Sequence, residues 1–217
     1  MPRGAAGWTG AQGRRWVDGR ARMGVVPAAR GDDVLSARRI LFYGVSGAGK
    51  STAAMRLGAL LGLPVHLVDE EIGWLPGRQA RDEADQREIA ARIVAGDRWI
   101  LDSAYSGYRD EVHSRAELVI ALDYPRWLSL GRLMSRTVAR VRDGVQICNG
   151  NRETLAQALG SDSIIRWHFR SFARKRAQMR GWHEATEGTP VLLLGHPREF
   201  DALCDRARAM QEMRDRR

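Results

Sequence analysis

Apolar residues fall along this chain in short unbroken runs separated by longer amphipathic stretches. The runs are Ile40-Leu41-Phe42-Tyr43 after Arg39, Val65-His66-Leu67-Val68 before Asp69, Trp99-Ile100-Leu101 between Arg98 and Asp102, Leu118 to Leu122 before Asp123, and Pro190 to Leu194. Runs of this length without polar alternation suit strands that are buried on both faces of a sheet. The stretches between them predict helices at about 50–61, 82–95, 125–141, 164–181 and from about 199 onward, the first closed by Gly62 and Pro64. In the third of these, Trp127, Leu130, Met134, Val138 and Val141 form an apolar face expected to pack on the core. Arg132, Arg136 and Arg140 form a separate stripe at four-residue spacing. Arg166, Arg170 and Arg174 repeat that spacing in the fourth. Five buried strands alternating with helices predict an α/β three-layer sandwich with a mostly parallel five-stranded sheet. Ligands of such a sheet bind beyond the carboxyl ends of its strands, where Asp69, Asp102 and Asp123 fall.

Composition divides the chain. Residues 1–37 are rich in Arg, Gly and Ala without sustained period and read as a flexible extension, residues 38–206 as one domain, and residues 207–217 as a basic tail. A polar stretch at about 143–160 is a candidate lid. The net charge of +9 is spread unevenly: residues 1–38 carry seven arginines against three acids, and residues 205–217 five against three. The core keeps the modest cationic excess that a polyphosphate binder needs. Trp8 and Trp16 among the N-terminal arginines leave room for a nucleic-acid contact in that arm. No apolar run approaches the roughly 18 to 20 residues of a membrane-spanning helix. The start lacks a secretory signal's apolar core, and Cys148 and Cys204 form no paired motif, which together point to a reducing cytoplasm.

Residues 44–51 read GVSGAGKS, placed where the first strand hands over to the first helix. Gly44, Gly47 and Gly49 allow close backbone approach, so that N–H groups of the loop, including those of Ser46 and Ala48, can point at phosphate oxygens. The helix that follows adds its N-terminal dipole. Lys50 would then reach the β- and γ-phosphates of ATP, Ser51 would bind Mg2+, and Thr52 would bond the α-phosphate. Basic residues here are 33 arginines and two lysines, Lys50 and Lys175, so a lysine at position 50 is informative.

A Mg2+ ion held by one serine needs an acidic partner from a neighbouring strand end. Asp102 is the first choice; Asp123 is the competitor, with helix capping as its alternative role. Asp69 is a candidate to orient or deprotonate an acceptor. The arginine stripes suit a clamp on the γ-phosphate closing with the lid, or else a solvated face.

The segments GVSGAGKST, GLPVHLVDE with WLPG, RWILDSAY, LVIALDYPRW with RLMSRT, NGNRE and SIIRWHFRS together resemble adenylate-kinase-related P-loop proteins of the bacterial topology modulation or FlaR-like group, over about residues 39–206. The resemblance implies a nucleoside-monophosphate-kinase-like fold, ATP and Mg2+ as cofactors, a closing lid, Asp102 in the site, and Arg132 and Arg136 at the start of the lid. The chain has Asp102-Ser103-Ala104-Tyr105 in place of the DGFPR run of adenylate kinases, which weighs against AMP as acceptor. The expectation is an ATP-dependent kinase acting on a nucleotide or other small acceptor. The alternative is a nucleotide-gated regulatory ATPase whose basic arms contact DNA or RNA. The sequence leaves the oligomeric state open.

Overall fold

The computed structural model describes residues 33–143, 146–147, 151–152 and 163–215. Five parallel strands, β1 (Arg39–Gly44), β2 (Val65–His66), β3 (Trp99–Leu101), β4 (Leu118–Leu122) and β5 (Val191–Leu194), form one sheet in the order β2-β3-β1-β4-β5. Ile40 sits opposite Ile100 on one side and Leu118 on the other, so β1 is central and flanked by β3 and β4. Alternate side chains of each strand feed two separate cores, because a strand's successive Cβ atoms point to opposite faces. Ile40, Phe42 and Ile120 join Leu57 of α2 (Lys50–Leu61) and Phe200 of α7 (Pro197–Asp215) on one face. Leu41, Tyr43 and Val119 join Val94 of α3 (Glu83–Val94), Val112 of α4 (Arg109–Arg115) and Met179 of α6 (Ile164–Glu184) on the other. The three-layer sandwich expected from the pattern is the fold.

Several boundaries differ from the sequence reading, for physical reasons. The second strand stops at His66, and Asp69–Gly73 wind into a single π-helical turn, with the Glu70 and Glu71 amides both bonded to the Leu67 carbonyl. A short helix α1, Asp33–Ser36, precedes β1 and buries Val34 completely, so ordered packing begins before residue 38. The closing helix α7 runs to Asp215, through most of the segment read as a tail, and Ala207 is buried. The N-terminal segment 1–32 with Trp8 and Trp16, Cys148, residues 216–217 and most of the candidate lid lie outside the described residues; of the lid, Gln146–Ile147 pairs antiparallel with Asn151–Arg152.

The largest correction concerns α5 (Arg126–Asp143). Trp127, Met134 and Val138, expected to pack on the core, are 70%, 49% and 63% exposed, while Ser129, Leu133 and Thr137 are buried. The helix turns this way because the face it buries packs directly on the glycine-rich loop after β1. A Cβ built on Gly47 would lie 2.1 Å from the Ser129 carbonyl oxygen, so loop and helix backbones meet directly.

Candidate nucleotide and acceptor site

The loop between β1 and α2 is folded by its glycines: Gly47 has φ 82° and Gly49 φ 93°, conformations that other residues seldom adopt. With α2 beginning at Lys50, the first backbone N–H groups of a twelve-residue helix open into the loop's concavity. The Lys50 amine folds back to donate to the Val45 carbonyl at 3.1 Å. Burial pushes its pKa down; Asp102 and Asp69 act against that shift, and Arg136 adds to it. An anion arriving in the loop would favour the charged form of this buried amine.

Ser51 and Asp102 meet beside the loop. The serine hydroxyl donates to one carboxylate oxygen at 2.5 Å, and the Val68 amide donates to the other at 2.9 Å. Asp102 is only 5% exposed, and burial raises its pKa, while the Ser51 and Val68 hydrogen bonds and the charge of Lys50 hold it back. A carboxylate lifted by desolvation gains from a nearby cation, so this donor pair fits Mg2+. Among the described residues no group of three or more His, Cys, Asp or Glu side chains converges, so a metal here would complete its shell from the nucleotide and water.

Asp123, equally buried, is engaged elsewhere. Arg176 Nε stands 2.8 Å from one of its oxygens, and Arg180 Nε donates to the other at 3.0 Å. It fastens α6 to the end of β4, whereas the carboxylate that the Ser51 hydroxyl bonds is Asp102.

In the turn after β2, Asp69 accepts a 2.5 Å hydrogen bond from the Tyr105 hydroxyl. The Tyr105 ring lies over Gly73, where a Cβ would come within 2.2 Å of the hydroxyl oxygen. Trp74, next in sequence to Gly73, is 37% exposed, and the Tyr108 ring packs 5.9 Å from that of Tyr105. On the opposite side, Arg132 donates to the Ala48 carbonyl at 3.4 Å and lies over the Tyr124 ring. Arg132, Arg136, Gly47, Ala48, Gly49 and Thr52 share a cavity of about 380 Å³ with Arg56, Tyr124, Pro197 and Phe200. The arginines of the second stripe, Arg166, Arg170 and Arg174, are exposed on α6, and Arg174 lies over the Trp167 ring.

Three residues of this site were not read from the sequence. His168, fully buried, bonds the Ser46 carbonyl through Nδ1 at 3.0 Å and braces the loop from α6. Gln178 accepts from the Tyr43 hydroxyl at 2.7 Å and from Arg109 at 3.2 Å. Lys175 donates to the Gly44 carbonyl at 3.5 Å. The scarcity of lysine that singles out Lys50 applied equally to Lys175, whereas nothing in the pattern marks His168 or Gln178.

No family model matches the chain. An uncharacterized protein of Bacillus subtilis (strain 168), YqaC, is 32% identical over 108 residues, 48% of this chain and 58% of that protein. The match thus spans little more than half the length of that curated relative. Among solved structures, the shikimate kinase of Acinetobacter baumannii in complex with shikimate is 16% identical, with a TM-score of 0.50 over 85% of this chain and 96% of the other. A gluconokinase from Sinorhizobium meliloti 1021 is 18% identical, with a TM-score of 0.42 over 81% and 95%. Both of these neighbours are kinases, and at 16% identity the likeness to the shikimate kinase is one of fold.

Proposed function

We propose that this chain is an ATP- and Mg2+-dependent phosphotransferase that moves the γ-phosphoryl group of ATP to a nucleotide or another small acceptor, and that it belongs to the topology modulation group its segments resemble. The observation that carries this reading is the Ser51–Asp102 pair at 2.5 Å, set at the mouth of a glycine-shaped loop whose lysine rests on a replaceable carbonyl contact. A glycine-rich strand-to-helix turn without function has no reason to bury a carboxylate beside a serine there, because that burial costs stability.

In this reading the loop amides and the start of α2 bind the phosphates, and Lys50 exchanges the Val45 carbonyl for phosphate oxygens. Ser51 and Asp102 hold Mg2+, which supplies charge neutralisation at the phosphate oxygens when bound. Arg132 and Arg136 offset charge from the α5 side, and Tyr124, Pro197 and Phe200 form a wall for the base. The acceptor lies toward Asp69, which Tyr105 holds in orientation. For a hydroxyl acceptor, its oxygen bonds to the γ-phosphorus as the bond to the bridging oxygen of ADP breaks. ADP leaves with that electron pair, and the hydroxyl proton passes to Asp69 and on to water. Positioning and charge neutralisation supply most of the rate. Residues 38–206 carry this machinery, with the stretch at about 143–160 as its lid.

The test is a screen for transfer of labelled γ-phosphate to nucleoside monophosphates, nucleosides, sugars, sugar acids and polyols, with Lys50→Ala as control. Label should reach at least one small acceptor with the wild-type chain and none with the variant. Hydrolysis stimulated by DNA or RNA, without transfer to any small acceptor, would overturn the kinase reading in favour of a nucleic-acid-coupled ATPase.

A further inference from the structure

Both lysines of a chain with 33 arginines end on the same loop. Lys50 donates to the Val45 carbonyl at 3.1 Å, and Lys175 donates to the neighbouring Gly44 carbonyl at 3.5 Å. One belongs to the loop's own helix, and the other arrives from α6, across the sheet end, with its amine 5.6 Å from the centre of the Tyr43 ring. We propose that Lys175 is a second phosphate-binding lysine, which contacts the transferring γ-phosphoryl group from the side opposite α2. This inference rests on the ATP-dependent reading above and adds a residue to it.

Three observations support it. First, an ammonium has three donors, and among the described residues the Lys175 amine has one hydrogen-bond partner, at a long distance. A phosphoryl oxygen would supply what the carbonyl does not. Second, α6 is held rigidly over the loop: His168 bonds Ser46, Gln178 bonds the Tyr43 hydroxyl, and Arg176 and Arg180 pair with Asp123. Lys175 lies inside this set of anchors, so its reach toward the loop is set by α6 itself. Third, the charges around it come from every side of the site: Lys50 from α2, Asp69 from the turn after β2, Arg109 from α4 and Arg174 from α6 itself. Burial and the cations push its pKa down to about 7 against the pull of Asp69. Such a cationic surplus is compensated when a polyphosphate enters. Lysine also fits the task better than arginine would, as a compact point charge on a flexible stem instead of a planar fork.

The experiment is calorimetric titration of the full chain and of Lys175→Met, Lys175→Arg and Lys50→Ala with MgATP and with MgADP, each variant checked by circular dichroism and thermal melting. Lys175→Met should weaken ATP by about tenfold or more and ADP by less than about twofold, since only ATP carries the γ-phosphoryl group. Lys175→Arg should restore part of the difference, and Lys50→Ala should lose both nucleotides. A merely structural lysine would not change the ratio of ATP to ADP affinity. Equal loss of both nucleotides in Lys175→Met, or no loss of either, overturns the role of Lys175 while leaving the kinase reading standing. A wild-type chain that binds neither nucleotide overturns both.

Discussion

At the scale of single residues, the site depends on atoms that leave no room for substitution. Gly47 combines a left-handed φ of 82° with direct contact to the Ser129 backbone, so Gly47→Ala strains the loop and pushes α5 away at the same time. Strain of this kind costs about 1–3 kcal/mol; the variant should melt at lower temperature and bind ATP at least about tenfold more weakly by titration. Lys175 should behave in the opposite sense. Its folded pKa of about 7 lies below the unfolded value of 10.5, so between those limits the unfolded chain holds the proton and the folded chain does not. Stability should therefore rise with pH from about 7 to 10.5, as the cost of burying the charge disappears. Lys175→Met should be more stable than wild type at pH 7 in urea denaturation, and the gap should close by about pH 10. A gap that stays constant across that range would contradict the burial argument. Lys50 was legible in the sequence because loop, lysine and helix coincide in one local motif. His168 and Lys175 were not, because their contacts join positions separated by 122 and 131 residues.

At the scale of elements, the helices show where pattern reading stops. The sequence marks one apolar face and one arginine stripe on α5, but periodicity records only that a face is apolar and not what it meets. The surface that α5 buries is Ser129, Leu133 and Thr137, chosen by the shape of the loop. Trp127→Gln should accordingly shift stability by no more than about 0.5 kcal/mol; a loss of several kcal/mol in denaturant titration would show that Trp127 is a core residue after all. Asp102 and Asp123 follow the same rule. They end the two strands that flank β1, so position alone leaves them equivalent, and the deciding partners lie far along the chain: Ser51 for one, Arg176 and Arg180 for the other. Asp123→Asn should loosen α6. Since Arg176 and Arg180 are 37% and 50% exposed, the cost should be about 1–2 kcal/mol, below that of a fully buried pair.

At the scale of the whole molecule, the five buried strands and the two-sided core follow from five short apolar runs, visible without any long-range information, whereas the order of the strands in the sheet does not. The pattern was readable because a parallel strand buried on both faces tolerates almost no polar residue. Less visible were the limits of the folded unit, since low-complexity composition near residue 37 conceals the buried Val34. A chain beginning at Asp33 should keep wild-type stability and ATP affinity. One beginning at Arg38 should lose about 1.5–3 kcal/mol through removal of that side chain, as read by thermal or urea unfolding. The two carboxylates provide the most direct test of the site as a whole. Calorimetric titration of ATP with and without Mg2+ should show that the metal tightens ATP binding to the wild-type chain and to Asp123→Asn, and that Asp102→Asn loses most of this gain, about 10- to 100-fold. If Asp102→Asn keeps the full Mg2+ dependence, or if Asp123→Asn loses it instead, the proposed metal and nucleotide site is wrong.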